Sequence, residues 1–206
     1  ANGWNAGACS VHGFSETDDI RGISFKAKIL NKRVMFGLTS TVSTSDSYTD
    51  ITNAVYLQNN GYISIREKNS NKGQMGKYKA DSVIEVVVNS DGYPAYKVDG
   101  EIRYTSRTKA TYPLYVDGSF HDTGCELTDI KWVGAMDVTE EKVGGPVQFT
   151  NVKYVASEAP GHLRRVLGSG NSWNGGAVSR YGVSVGNKQG ITGVTFRATV
   201  NKKRFM

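Results

Sequence analysis

Few residues in this chain are suited to chemistry, and most of them sit in one loop. In STVSTSDSYTD (40–50), Asp46 and Asp50 flank Tyr48, and Asn53 follows shortly after. Carboxylate and amide oxygens suit Ca²⁺, the one cofactor the sequence raises. An aromatic face beside such groups also suits a sugar. Tyr48 would stack on the ring while Asp50 and Asn53 bind its hydroxyls. Against both readings, two carboxylates in a polar loop are more often solvated, and a tyrosine there more often covers a sheet edge. The other acidic run is Glu16-Thr17-Asp18-Asp19-Ile20-Arg21. Hydrolysis by paired carboxylates needs two acids facing each other across the scissile bond. The histidines His12, His121 and His162 are scattered without metal-ligand spacing. His121 lies near Asp117 and Asp122 and reads as a solvated loop residue. No nucleophile elbow, phosphate loop or C-x-x-C motif occurs.

The elements that must position these residues are organised by an internal repeat. WNAGACS (4–10) returns as WNGGAVS (173–179), and GISFKAKILNKRVM (22–35) returns as GVTFRATVNKKRFM (193–206). A repeat of about 170 residues is domain-sized, so the chain holds one unit of a tandem array and the opening of the next. The sequence implies a unit at 1–134, a Gly-Gly-Pro-containing linker at 135–146, and the start of a second unit at 147–206. FTNVKYV (149–155) also echoes LTDIKWV (127–133). Whatever precedes Trp4 in the first unit should correspond to 147–171, so the first unit is expected to lack its opening strand or strands. Residues 147–171 could fold back onto their own body or complete a neighbouring molecule by strand addition. Without an initiator Met or a signal-peptide core at its start, the chain is expected to be processed or a fragment. Met206 aligns with Met35, and the sequence leaves open whether it is a natural end.

Within the unit, apolar and polar residues alternate. In GISFKAKIL (22–30), Ile23, Phe25, Ala27 and Ile29 share one face. Asn60-Gly61 joins AVYLQ (54–58) to YISIRE (62–67) as a hairpin. VIEVVV (83–88), YPAYKV (93–98), EIRYTS (101–106), YPLYVD (112–117) and ELTDIKWVG (126–134) read as further strands, and 12–19 and 68–80 as loops. No helical period appears, so the expected fold is all-β: an antiparallel two-sheet β-sandwich of jelly-roll type. Trp4, Trp132 and Trp173 read as core anchors, since Trp4 and Trp173 recur at one repeat position.

Cys9 and Cys125 would lie in the first and last strands of the unit, which often neighbour each other in a sandwich. A disulfide between them is therefore expected, with two unrelated buried thiols as the alternative. It would contribute about 3–5 kcal/mol by closing a long loop. It would also place the protein outside the cell or on its surface. Residues 147–206 carry nine Lys/Arg against one acid, on a mildly acidic body. These bases are spread through strand-like segments rather than clustered, so nucleic acid is not an expected partner. The asymmetry suits attraction between the tail of one molecule and the body of another. No apolar window is long enough for a membrane span.

The run from Ser47 to Ser106, SYTDITNAVYLQNNGYISIREKNSNKGQMGKYKADSVIEVVVNSDGYPAYKVDGEIRYTS, resembles concanavalin A-like sandwich modules with a SPRY-like core, as does PLYVDGSFHDTGCELTDI (113–130). The resemblance implies a module that recurs in large secreted or cell-surface proteins. Laminarinase-like glycoside hydrolases share this broad fold and resemble one another in a strand motif E-x-D-x-x-E. Here Arg21 replaces the second glutamate, and the matching segment of the second copy has no acids, so no enzyme activity is expected. Three readings follow. One is a structural or adhesive repeat that self-associates, in the extreme into a filament by strand exchange. The second is a lectin-like module with glycan partners. The third is an intracellular peptide-binding domain, which a disulfide would argue against.

Overall fold

The structure, a computed structural model, describes residues 2–42, 45–134, 149–153, 155–156 and 163–165. The expected linker 135–146, His162 and Trp173 lie outside the described residues. Among the described residues, two seven-stranded antiparallel sheets face each other. In spatial order the first sheet is β12 (Phe149–Lys153), β1 (Ala6–Phe14), β10 (Leu114–Phe120), β3 (Val34–Thr39), β4 (Asn53–Leu57), β5 (Tyr62–Glu67) and β6 (Ser70–Lys77). The second is β13 (Val155–Ala156), β14 (Leu163–Arg165), β11 (Glu126–Gly134), β2 (Ile20–Ala27), β7 (Val83–Val88), β8 (Pro94–Val98) and β9 (Glu101–Thr105). The described residues contain no α-helix, only one 3-10 turn at Tyr48–Asp50.

Alternation along each strand separates the two faces of a sheet. Across the first sheet, Ala8, Gly118, Phe36, Val55 and Ile65 form one cross-strand row that points into the core. The next row, Cys9, Asp117, Gly37, Ala54 and Arg66, points the other way. From the second sheet, Ile23, Phe25, Ala27, Ile84, Val86, Val88, Tyr96 and Leu127 meet the inward row. Phe25 and Phe36 touch across the gap, centroids 4.8 Å apart. The expected hydrophobic face of β2 is present, but the strand stops at Ala27, so Ile29 is 40% exposed.

Turn chemistry fixes register where it matters. Asp99 and Gly100, at φ of 52° and 82°, form a two-residue turn pairing Val98 with Glu101. The Asp99 carboxylate then accepts from the Val83 N–H and the Ser82 hydroxyl, tying the β8–β9 turn to the start of β7. Gly61, at φ 78°, closes the expected β4–β5 hairpin.

Two segments expected as loops, 12–19 and 68–80, are in part strands. β1 continues to Phe14, and SNKGQMGK is β6, an edge strand with its side chains largely in water. At the opposite flank, β12 lies antiparallel to β1, with Cys9 opposite Thr150 and Ser10 opposite Phe149. β14 lies antiparallel to β11, with Leu127 opposite Leu163. Phe149, Val155 and Leu163 enter the core at 8%, 8% and 0% exposure.

The expected Cys9–Cys125 bridge is not formed. Cys9 sits in the first sheet, beside Asp117 on the outward row, whereas Cys125 opens β11 in the second sheet with its side chain in the core. The first and last strands of the unit belong to opposite sheets, and sandwiched sheets lie about 10 Å apart, beyond the reach of a disulfide. Both cysteines are thiols, each 2% exposed.

Candidate functional site

Segment 45–52 does not bring Tyr48 and Asp50 together with Asn53. It lies over the outward face of the first sheet and is held there by hydrogen bonds. The Ser119 hydroxyl donates to the Asp46 carbonyl (2.7 Å), and the Thr39 hydroxyl to the Asp50 carbonyl (2.9 Å). Gly7 makes room for it: a Cβ there would stand 3.4 Å from the Asp46 Cα. Tyr48 packs on Trp4 at 5.0 Å, in a second apolar cluster with Met35, Ile51, Ala54 and Tyr56. Trp4 thus anchors this outer cluster rather than the central core, while Trp132 packs on the core against Phe14 at 5.9 Å. The Asp50 carboxylate accepts from the Ser45 hydroxyl at 2.6 Å.

Asn53 is on the other side of the sheet. It pairs with Leu38 and Glu67, which places it on the inward face at 7% exposure. Its amide donates to the Tyr96 hydroxyl (3.3 Å), which donates to Glu67 (3.2 Å). These three buried polar groups satisfy one another inside the sandwich. Burial, the neighbouring Glu67 charge and the Glu67 hydrogen bond push the Tyr96 phenol above its usual range, so it remains a neutral donor. Among the described residues, no three His, Cys, Asp or Glu side chains are arranged to hold a metal ion.

Asp117 is the unexpected residue beneath this segment. It is 4% exposed, accepts from the Gly118 N–H through Oδ1 at 2.8 Å, and has no hydrogen-bond partner at Oδ2. Burial pushes its carboxyl up to about 7; the Gly118 N–H opposes the rise, and the charges of Asp50 and Asp46 add to it. Asp122, farther along the chain, behaves oppositely. Burial disfavours its charge, but Arg33 through guanidinium and backbone N–H, together with His121, holds its carboxyl below the usual range. His121 is therefore not a solvated loop residue: its ring lies 2.8 Å from Asp122 and 5.1 Å from Trp4.

The Glu16–Arg21 run forms no carboxylate pair. Asp18 accepts from the Ser15 N–H, and Arg21 donates to the Glu16 carbonyl at 3.1 Å. Glu16 and Arg21 instead line one wall of a cleft of about 510 Å³, with Asp91, Tyr93, Lys109 and Tyr112 among the other walls. In the sequence Arg21 stands only where a second glutamate is missing, and nothing there signals Tyr93 or Lys109, which the fold brings together. Among the described residues no helix is long and apolar enough to cross a membrane. No protein-family model and no curated protein matches this chain.

Proposed function

We propose that the chain is a non-enzymatic structural repeat of a concanavalin A-like, SPRY-like kind, from an extracellular or cell-surface array that assembles head to tail. One observation carries this reading. β12 and β14 precede the second tryptophan motif and so belong, by repeat phase, to the opening of the next unit, yet they occupy the flank of the first. Residues 173–179 repeat the sequence of the strand that β12 pairs with, so the same segment has a second acceptor in every following repeat. An acceptor on another molecule makes a heterologous contact that need not close, which is how filaments grow.

The test compares chain 1–206 with chain 1–146, adding a synthetic peptide of 147–171 to the latter. The truncated body should lose cooperative unfolding or aggregate through its bare β1 and β11 edges, and the peptide should restore it. Negative-stain microscopy and light scattering of 1–206 across concentration should show a ladder of oligomers. A truncated body as stable as the full chain, or a strict monomer at all concentrations, overturns the proposal.

A further inference from the structure

We propose that the cleft between loop 15–19, turn 89–92 and loop 106–113 is a saccharide-binding site. The site is independent of the array reading, since neither β12 nor β14 lines it.

Its walls are built rather than incidental. Asn89 organises the β7–β8 turn: its side-chain oxygen accepts the N–H groups of Asp91 (3.0 Å) and Tyr93 (2.9 Å), and its own N–H donates to the Tyr93 carbonyl (2.9 Å). The 106–113 loop is tied to this turn by the Ala110 N–H donating to the Gly92 carbonyl at 2.9 Å. The aliphatic stem of Lys109 runs along Gly92, and its ammonium stands 5.7 Å from the Tyr93 ring centroid. On the opposite wall, Tyr112 is half-buried, its ring edge-on to the core residue Phe14 at 5.9 Å. Arg21 lies beside it, fixed by the Glu16 carbonyl. Ordering costs are therefore largely met before a ligand arrives.

The lining selects the ligand class. No aliphatic side chain contributes to it, so an apolar ligand or the apolar anchor of a peptide finds no pocket. Glu16 and Asp91 balance Arg21 and Lys109, so a polyanion meets as much repulsion as attraction. Every sugar hydroxyl is both donor and acceptor and matches charges of both signs. The C–H face of a sugar ring fits against a tyrosine ring. A neutral or singly acidic saccharide satisfies all of these groups together. In the second repeat, Thr192 occupies the place of Arg21, so each repeat would carry its own specificity.

The experiment is saturation-transfer-difference NMR on chain 1–206. The probes are glucose, galactose, mannose, N-acetylglucosamine, glucuronic acid and N-acetylneuraminic acid, each at millimolar concentration, alongside a random hexapeptide pool. Asp91→Asn and Lys109→Ala alter exposed side chains and should leave the melting temperature unchanged. Each should weaken binding of the responding sugar about tenfold, the loss of one hydrogen bond to a charged group. Tyr93→Ala should abolish it, and Tyr48→Ala on the outer face should leave it intact. Silence from all six sugars, transfer to peptides alone, or binding that survives both Asp91→Asn and Lys109→Ala overturns the proposal.

Discussion

Replacing Asp117 by Asn should stabilise the protein, and only above about pH 4. In the unfolded chain this carboxyl ionises near its ordinary value of 3.8, whereas burial in the fold pushes it up to about 7. Below pH 4 both states hold the proton, so the group is silent. Between about 4 and 7 the unfolded chain releases the proton and the folded chain keeps it. Stability therefore falls as pH rises, by about 1.4 kcal/mol per unit, and levels off above 7. Over the whole window the cost is on the order of 4 kcal/mol, a large share of a typical domain's stability. Asparagine retains an oxygen for the Gly118 N–H and carries no charge, so Asp117→Asn removes the pH-dependent part alone. Chemical denaturation followed by tryptophan fluorescence, on both proteins from pH 4 to pH 8, measures it. Titrating groups that do not interact with Asp117 cancel in the difference between the two curves, which leaves Asp117 and its coupling to Asp50 and Asp46. That difference should grow by several kcal/mol toward alkaline pH. Parallel curves, or a wild type that gains ground as pH rises, would refute the reasoning by showing a folded-state carboxylate that is charged and compensated.

Leu163→Ala should cost about 2–5 kcal/mol, the range for a fully buried leucine, and unchanged stability would show that β14 does not dock in solution. Gly37→Ala should cost about 3 kcal/mol or prevent folding, because a Cβ there would stand 2.0 Å from the Asn53 carbonyl oxygen; unchanged denaturation would count against the β3–β4 spacing. Non-reducing denaturation with a thiol reagent should titrate two thiols, neither reactive in the native state, and a count of zero would restore the bridge. Asp122 predicts the acid limb: its stabilising charge is present above the ordinary carboxylate range and is lost as pH falls below it, so Asp122→Asn should flatten acid denaturation.

What was legible in the sequence was whatever burial writes as alternation. Ile23, Phe25 and Ala27 announced β2, and Asn60-Gly61 announced a hairpin, because each rests on local chemistry. β6 was invisible because most of its side chains are in water, and SNKGQMGK offers the core a single large apolar residue, Met75. Asn53 looked like a ligand of the Ser/Thr loop because polarity marks a residue without marking which face it takes. Its register against Leu38 and Glu67 decides that, and register is a property of the pairing. The disulfide expectation failed for a related reason: strand order along the chain does not say which sheet each strand joins. The cleft was hidden because Arg21, Tyr93 and Lys109 are distant in sequence, and tertiary hydrogen bonds such as Ala110–Gly92 and Ser106–Pro94 bring the last two walls together.

The two strands that close the flank are unequal clasps in series. β14 meets β11 through two residue pairs, Glu126–Arg164 and Leu127–Leu163, whereas β12 meets β1 through three, spread from Gly7 to Ser10. Tension entering the chain beyond residue 165 reaches β14 first, and β12 is loaded only after β14 has peeled away. Drawing out the stretch from 149 to 165 would pay out roughly 60 Å of extended chain before the body of the sandwich bears load. The flank is thereby a mechanical fuse, a length of slack that yields before the body of the sandwich is strained.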